Sequence, residues 1–186
     1  MARLPDPTGA LSAADREALE RMAAARADAE GRAALGDVYV RMFNNPAVAR
    51  AVGALGEHLR FAGVLPDDAR ELAILRYAAR QGFGYEWSHH QRPARRAGIP
   101  EDVVAALAGD AVPDDLEPER RAVVEAVDAV AAHRSIPAGV QERVVEAFGL
   151  AGVVEVVALC GLYALMGYTV TAFDIAVEEG LPRPPF

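Results

Sequence analysis

The sequence predicts a single-domain, all-α protein. Ala, Leu, Glu and Arg, which favour helices, dominate the 186 residues, and only 6% of the residues are aromatic. Strand-length runs of β-branched residues bounded by turn signals are scarce. Apolar residues instead recur three or four positions apart, as at Leu72, Leu75 and Ala79. We therefore expect a close-packed helical bundle with many small side chains in its core.

Capping and stop signals divide the chain into helices. Ser12 is a predicted N-cap, Pro46 suits the first turn of a helix, and Gly98 is a stop signal. The expected helices cover about 13–28, 33–43, 47–61, 67–80, 85–97, 101–107, 117–133, 137–148 and 151–177. Residues 1–10 are predicted to form an extended N-terminal arm, residues 11–179 the helical domain, and residues 180–186 a proline-rich tail.

Composition excludes several classes of function. The formal net charge is -8 and no basic stripe stands out, which argues against a nucleic-acid partner. All 19 basic residues are arginine, so neither a Schiff-base lysine nor a phosphate-loop lysine exists. The only cysteine, Cys160, permits neither an intramolecular disulfide nor a four-thiolate metal site, and we expect it to be a buried, inert thiol. Residues 1–9 lack the apolar stretch of a signal peptide, so we expect the protein to be cytoplasmic.

The stretch 156–173 is apolar and contains no charged residue. Its length is at the lower limit for a helix that spans a membrane. Glu155 and Asp174 bracket it, and its flanks are acidic rather than basic. We therefore expect a buried core or subunit-interface helix and no membrane partner. A helix that is apolar on all sides must be covered, and a neighbouring subunit is the expected cover.

The candidate chemistry lies within residues 70–97. Glu86 and His90 are four residues apart on a predicted helix, so their side chains share one face. A carboxylate bonded to one imidazole nitrogen would fix the tautomer and leave the other nitrogen to act as a general acid. The alternative is an exposed pair that only steadies the helix. This pair supplies at most two metal ligands, so no metal site is expected.

A basic cluster follows this pair. It consists of Arg92, Arg95 and Arg96. It is either a solvated helix face or an anchor for an anionic substrate.

The stretch resembles the carboxymuconolactone decarboxylase family, which includes the alkylhydroperoxidase D-like proteins. Redox members of that family show a Glu, a Cys-x-x-Cys twelve residues later and a His four residues after the second Cys. Here Glu71 and His90 match the Glu and the His, whereas Phe83 and Glu86 occupy the two cysteine positions. The thiol peroxidase activity of the redox members therefore cannot transfer to this chain.

The resemblance implies a helical subunit that assembles as a homotrimer or homohexamer, and a cofactor-free decarboxylase acting on a small carboxylated or lactone substrate. We expect His90 to donate a proton, Glu86 to steady it and Glu71 to orient it or relay protons. Arg76 is the first candidate for holding a substrate carboxylate. Other expected pocket residues are Tyr85, Trp87, His89 and Phe83, with Tyr77 and Arg80 as neighbours.

Three alternatives remain open at this point. The first is proton transfer without decarboxylation, such as isomerisation or lactone opening. The second is a non-catalytic or vestigial helical oligomer that binds a ligand or partner. The third and weakest is peroxide chemistry by Cys160 alone.

Overall fold

The computed structural model describes residues 3–26 and 35–186, and within these ranges it contains helices and no strand. A short 3-10 helix covers Thr8–Ala10. The α-helices are α1 (Ala13–Ala24), α2 (Asp37–Met42), α3 (Pro46–Phe61), α4 (Asp67–Gln81), α5 (Gly84–Arg96), α6 (Glu101–Ala106), α7 (Pro118–Ala131) and α8 (Ala138–Phe173). The all-α prediction is confirmed.

The predicted capping residues begin their helices as expected. The Ser12 hydroxyl accepts a hydrogen bond of 3.1 Å from the backbone N–H of Asp15, at the start of α1. The Asn45 side chain caps α3 in the same way, and Pro46 is the first residue of that helix. Both arrangements satisfy backbone N–H groups that a helix terminus otherwise leaves without partners.

Several predicted boundaries differ from the structure, and α1 ends at Ala24 rather than near residue 28. Helix α2 begins at Asp37, and the predicted start at Ala33 lies outside the described residues. The helices predicted over 137–148 and 151–177 form one element, α8, whose helical geometry is interrupted at Gly149 with φ 69° and ψ −179°. Helix α8 ends at Phe173 rather than Val177, because Asp174 adopts a left-handed conformation with φ 52°.

The chain divides into two compact units. The first comprises Met1–Ala62 and Tyr168–Ala176, and the second comprises Gly63–Gly167 and Val177–Phe186. In the first unit, α3 packs against α1 and α2. The predicted domain boundaries after residues 10 and 179 stay predictions.

Helix α4 is the centre of the second unit, where it packs against α5 and α7. Every residue from Ala69 to Ala78 is buried, although the stretch includes three charged side chains. Such a helix has no solvent face in its middle, so its charged groups need partners inside the protein.

A buried carboxylate fixes the loop before α4. Glu155 of α8, 8% exposed, accepts hydrogen bonds of 2.8 Å from the N–H of Val64 and 3.0 Å from that of Leu65. A Cβ atom at Gly63 would lie 2.8 Å from a Glu155 oxygen, so the loop can approach this closely because residue 63 is glycine.

Within the described residues, α8 is the one helix long and apolar enough to cross a membrane, and 39% of its most apolar window is buried. Leu150, Val154 and Val157 are exposed on it. These apolar side chains fit the expected subunit interface. That interface and the absence of a membrane partner stay predictions.

Candidate active site

A tight turn between α4 and α5 brings the site residues together. Gly82 has φ 67°, and the N–H of Phe83 bonds the carbonyl of Ala78 at 2.8 Å. This is the usual hydrogen bond of a helix that ends on a left-handed glycine. The turn sends α5 back along α4, so Glu71 and His90 on the two helices meet.

His90 is held by hydrogen bonds at both ring nitrogens. Its Nδ1 lies 2.7 Å from Oε2 of Glu71, and its Nε2 lies 3.0 Å from the hydroxyl of Tyr163 on α8. The exposed fractions are 1% for Glu71 and 6% for each of the other two residues. The rings of His90 and Tyr163 meet edge to face, with centroids 5.0 Å apart. The three side chains form a buried chain of hydrogen bonds, Glu71–His90–Tyr163.

The geometry of this chain fits two protonation states of His90. In neutral His90, Nδ1–H donates to Glu71 and Nε2 accepts from the hydroxyl of Tyr163. In protonated His90, both nitrogens donate, and the Glu71 carboxylate stabilises the positive charge. Arg70 also lies near this carboxylate, with its Nε 3.5 Å from Oε1 of Glu71. The pair can therefore hold or release a proton in a place with little water.

The predicted pairing of Glu86 with His90 is wrong: Glu71 holds the imidazole instead. Both ring nitrogens are already bonded, so the shared helix face of Glu86 and His90 does not produce a hydrogen bond. Glu86 is 3% exposed, and its two carboxylate oxygens have no hydrogen-bond partner among the residues that the structure describes. Burial raises the pKa of Glu86 to about 7, with a smaller opposing effect from its own backbone N–H. Glu86 is therefore a buried carboxyl group that gains or loses its proton near neutral pH.

The predicted role of Arg76 as a substrate anchor is also wrong. Arg76 is fully buried, and it binds both carboxylate oxygens of Asp128 at 2.7 and 2.8 Å. Its remaining hydrogen bonds go to the carbonyls of Leu107, Gly109 and Asp110. These contacts use the whole guanidinium fork, so Arg76 joins α4 to α7 and to the loop after α6 rather than holding a substrate.

The predicted neighbour Arg80 belongs to the same cluster. Its Nε lies 2.8 Å from Oδ1 of Asp128. Burial alone would raise the pKa of Asp128, but hydrogen bonds and charge from Arg76 and Arg80 outweigh it and hold that pKa below its usual value. Asp128 therefore stays ionised inside the protein.

Three predicted pocket residues on α5 contact the segment that follows α8, which includes the C-terminal tail. The rings of Tyr85 and His89 stack with centroids 4.3 Å apart. Glu178 accepts a hydrogen bond of 2.9 Å from the Tyr85 hydroxyl and lies 2.7 Å from Nε2 of His89. Trp87, 2% exposed, meets the ring of Phe186 edge to face at 5.4 Å. The tail is thus held along the helix that carries His90.

Side chains of the basic cluster (Arg92, Arg95 and Arg96) also bond to other parts of the protein. Arg92 donates a hydrogen bond of 2.8 Å to the carbonyl of Gly180, and Arg95 pairs with Glu101 at 2.9 Å. Two of the three arginines therefore have partners within the chain, which weakens the interpretation as a substrate anchor.

Phe83 lies where the redox members carry their first cysteine, and it packs into the second unit. It is 9% exposed, and its ring lies 6.3 Å from that of Tyr77. On its other side it contacts Gly167 of α8, where a Cβ atom would come within 2.4 Å of the ring. Phe83 therefore fills space between α4 and α8.

The remaining thiol does not support peroxide chemistry. Cys160 is 1% exposed, and burial raises its pKa to about 12. The nucleophile in such chemistry is the thiolate, and this thiol stays protonated at neutral pH. Among the described residues, no three His, Cys, Asp or Glu side chains are grouped so that they could hold a metal ion.

Two cavities lie in the second unit, with volumes of about 470 and 310 Å³. Arg120 and Glu119 line both, with Phe148 in the larger and Ile99 in the smaller. Neither is lined by His90 or by the other members of its hydrogen-bonded chain.

Tyr163 was not among the residues predicted for the site. It stands in the apolar run of α8, where a tyrosine is indistinguishable from a core side chain. The one feature of Tyr163 that could have indicated a role in the site is its hydroxyl, because a buried tyrosine hydroxyl usually has a hydrogen-bond partner. Spacing along the chain could not identify that partner, since Tyr163 and His90 are distant in sequence.

Known structures share this helical arrangement. The debrominase Bmp8, solved without ligand and, as a cysteine-to-alanine variant, with 2,3,4-tribromopyrrole, is 18% identical, with a TM-score of 0.73 over 91% of this chain and 90% of that one. An AhpD-core, peroxidase-related protein from Ralstonia eutropha JMP134 is 19% identical, with a TM-score of 0.77 over 96% and 93%. An AhpD-type protein of unknown function from Agrobacterium tumefaciens is 20% identical, with a TM-score of 0.65 over 74% and 94%. At these identities the likeness establishes the AhpD-like fold alone.

The sequence also matches a family profile. Residues 46–129, which include Glu71 and His90, match the profile of the Carboxymuconolactone decarboxylase family. The match covers less than half of the 186 residues, so the sequence likeness to this family is confined to that stretch. No curated protein matches the sequence significantly.

Proposed function

We propose that this chain is a cofactor-free enzyme of the decarboxylase type that uses Glu71 and His90 as its acid–base pair on a small carboxylated or lactone substrate. One observation carries the proposal: the 2.7 Å hydrogen bond between Glu71 and Nδ1 of His90, both of them buried. A carboxylate that orients an imidazole and stabilises its protonated form is the usual arrangement of a catalytic histidine.

The main requirement of the proposed reaction is a proton donor, rather than a metal or a redox group. Loss of CO₂ leaves an electron pair on carbon, which must be delocalised in the substrate and then protonated. Protonated His90 supplies that proton, and Glu71 stabilises the charge before transfer. Glu86, whose pKa burial raises to about 7, is a second group that can hold a proton near neutral pH. The same groups suit isomerisation or opening of a lactone, which also begin with proton transfer.

A specific observation favours the non-catalytic alternative. Both ring nitrogens of His90 are bonded within the protein, and it lines neither of the two cavities described above. A vestigial member of the family that binds a ligand elsewhere would have these features. Measurement of turnover in variants distinguishes the two hypotheses.

The test is a screen of small carboxylic acids and carboxylated lactones, read as CO₂ release and as loss of lactone absorbance. Wild type is compared with His90→Asn, Glu71→Gln and Glu86→Gln, and His58→Asn serves as the matched control because His58 is exposed on α3. We expect His90→Asn to lower kcat roughly 10²–10⁴-fold, the usual contribution of general acid catalysis. The control keeps full activity. Equal activity in wild type and His90→Asn, or no turnover of any compound, contradicts the proposal and favours the alternative.

A further inference from the structure

We propose that Tyr163, rather than His90, is the group that exchanges a proton with the substrate. The inference rests on the proposed function and names a further catalytic residue for it. His90 becomes a relay between Glu71 and the phenolic hydroxyl. The observation behind it is that both ring nitrogens of His90 are bonded inside the protein, at 2.7 Å and 3.0 Å.

A substrate atom can bond directly to His90 only if it displaces one of these partners. Displacement of Glu71 would remove the group that stabilises the protonated ring and would leave a 1% exposed carboxylate without its imidazole. Displacement of Tyr163 would separate a buried hydroxyl from its acceptor. Transfer through the hydroxyl keeps all three groups in place, because a phenol can accept one hydrogen bond and donate another.

The proton moves in a balanced relay. In the protonated state, Nδ1–H of His90 donates to Glu71, Nε2–H donates to the oxygen of Tyr163, and the O–H of Tyr163 is directed to the substrate. As CO₂ leaves, the substrate carbon takes the phenolic proton, and the Nε2 proton moves to the phenolic oxygen. The products are a new C–H bond, an intact phenol and neutral His90. A proton from water then restores the imidazolium.

This arrangement explains how the site works without the thiols of the redox members. The hydroxyl of Tyr163 provides a transferable proton on the far side of His90 from Glu71. It lies on α8, whereas the acid–base pair lies on α4 and α5. The proposed site therefore uses three helices of the second unit, and α8 supplies the atom nearest the substrate.

The experiment compares Tyr163→Phe with Tyr168→Phe, a control on the same helix at a tyrosine that is 58% exposed. Activity is measured on a compound turned over by wild type. We expect Tyr163→Phe to lower kcat roughly 10²–10⁴-fold with KM changed less than about threefold, because the variant loses a proton donor and little binding surface. Tyr168→Phe keeps wild-type kcat.

A second variant answers the case in which Tyr163→Phe fails to fold, as judged by circular dichroism. Site-specific replacement of Tyr163 with 3-fluorotyrosine keeps the hydroxyl and makes it more acidic. We expect the alkaline limb of the kcat profile to move to lower pH in this variant. The same replacement at Tyr168 leaves the profile in place.

The outcomes separate this inference from the proposed function. Loss in both His90→Asn and Tyr163→Phe supports the relay. Loss in His90→Asn with most activity kept in Tyr163→Phe, or an unmoved pH limb with fluorotyrosine, overturns the role of Tyr163 and leaves the proposed function standing. Full activity in His90→Asn, or no turnover by wild type, overturns both.

Discussion

Two buried charged clusters of the second unit both include helix α4, but they differ in how completely their charges are paired. In the first, Arg76 is bound on every side and Asp128 receives two arginines. In the second, Glu71 and His90 bond each other, while the Glu86 carboxylate on the same helix as His90 has no hydrogen-bond partner within the described ranges 3–26 and 35–186. We therefore expect the first cluster to stabilise the fold, whereas burial opposes ionisation of the Glu86 carboxyl in the second.

The two clusters also respond to pH in opposite directions. Asp128 has a lowered pKa in the folded protein, so its contribution to stability is present above the usual pKa and is lost as the pH falls. Glu86 has a raised pKa, so its contribution is greatest below the usual carboxyl pKa and is lost as the pH rises towards 7. Opposite slopes of the free energy of unfolding against pH help to distinguish a structural ion pair from a group available for chemistry.

The largest expected effect on stability is at Asp128. Asp128→Ala leaves the buried Arg76 guanidinium without its carboxylate, which should lower the free energy of unfolding by about 3–5 kcal/mol. Urea denaturation at pH 7 measures it. The matched control is Asp110→Ala, since that fully exposed carboxylate also pairs with Arg80 and should contribute little. Equal effects at the two positions would show that the first cluster does not depend on burial.

Replacement of Glu86 is expected to have a smaller effect on stability, and of the opposite sign. Glu86→Gln removes a carboxyl whose ionisation burial opposes, so the variant should match wild type near pH 4.5 and be more stable at pH 8 by about 3 kcal/mol. Thermal midpoints measured across this range test the sign. Glu142→Gln, at an exposed position of α8, is the control and should change nothing. A stability difference that does not vary with pH would contradict the raised pKa.

The smallest effect is expected at Ser88. Its hydroxyl, on a fully buried residue of α5, has no hydrogen-bond partner in the described part of the chain. Ser88→Ala should therefore raise the free energy of unfolding by about 1 kcal/mol, because it removes an unsatisfied buried group. Ser12→Ala, which removes a hydroxyl that caps α1, should lower it by about 1 kcal/mol. If both variants lose stability, the Ser88 hydroxyl has a hydrogen-bond partner and this prediction is wrong.

Local sequence was sufficient to predict the helices and their caps. Ser12, Pro46 and Gly98 act through their own backbone neighbourhoods, so their effects can be predicted without tertiary contacts. The break at Gly149 also falls between the two predicted C-terminal helices. The start of α2 and the end of α8 were less accurate, because termini depend on packing.

The candidate site was only partly predictable from the sequence, for a physical reason. The match to the spacing of the family motif identified Glu71 and His90, and the fold brings these two residues together. Helix periodicity, in contrast, paired His90 with Glu86, its neighbour on the same helix. Partners on different helices, such as Tyr163 for His90 and Asp128 for Arg76, depend on tertiary packing. Spacing within one helix carries no information about such contacts.

The contact between Phe83 and Gly167 limits how the chain could have changed over time. A side chain at position 167 would overlap the Phe83 ring, with a Cβ atom 2.4 Å from it. If an ancestor carried a cysteine at position 83, any larger residue at 167 had to become glycine before phenylalanine could enter. The reverse path is also conditional: restoring the cysteine would open a void beside Gly167. The residues at positions 83 and 167 are therefore coupled, because a side chain larger than glycine at 167 requires the ring at 83 to move or to be replaced by a smaller group.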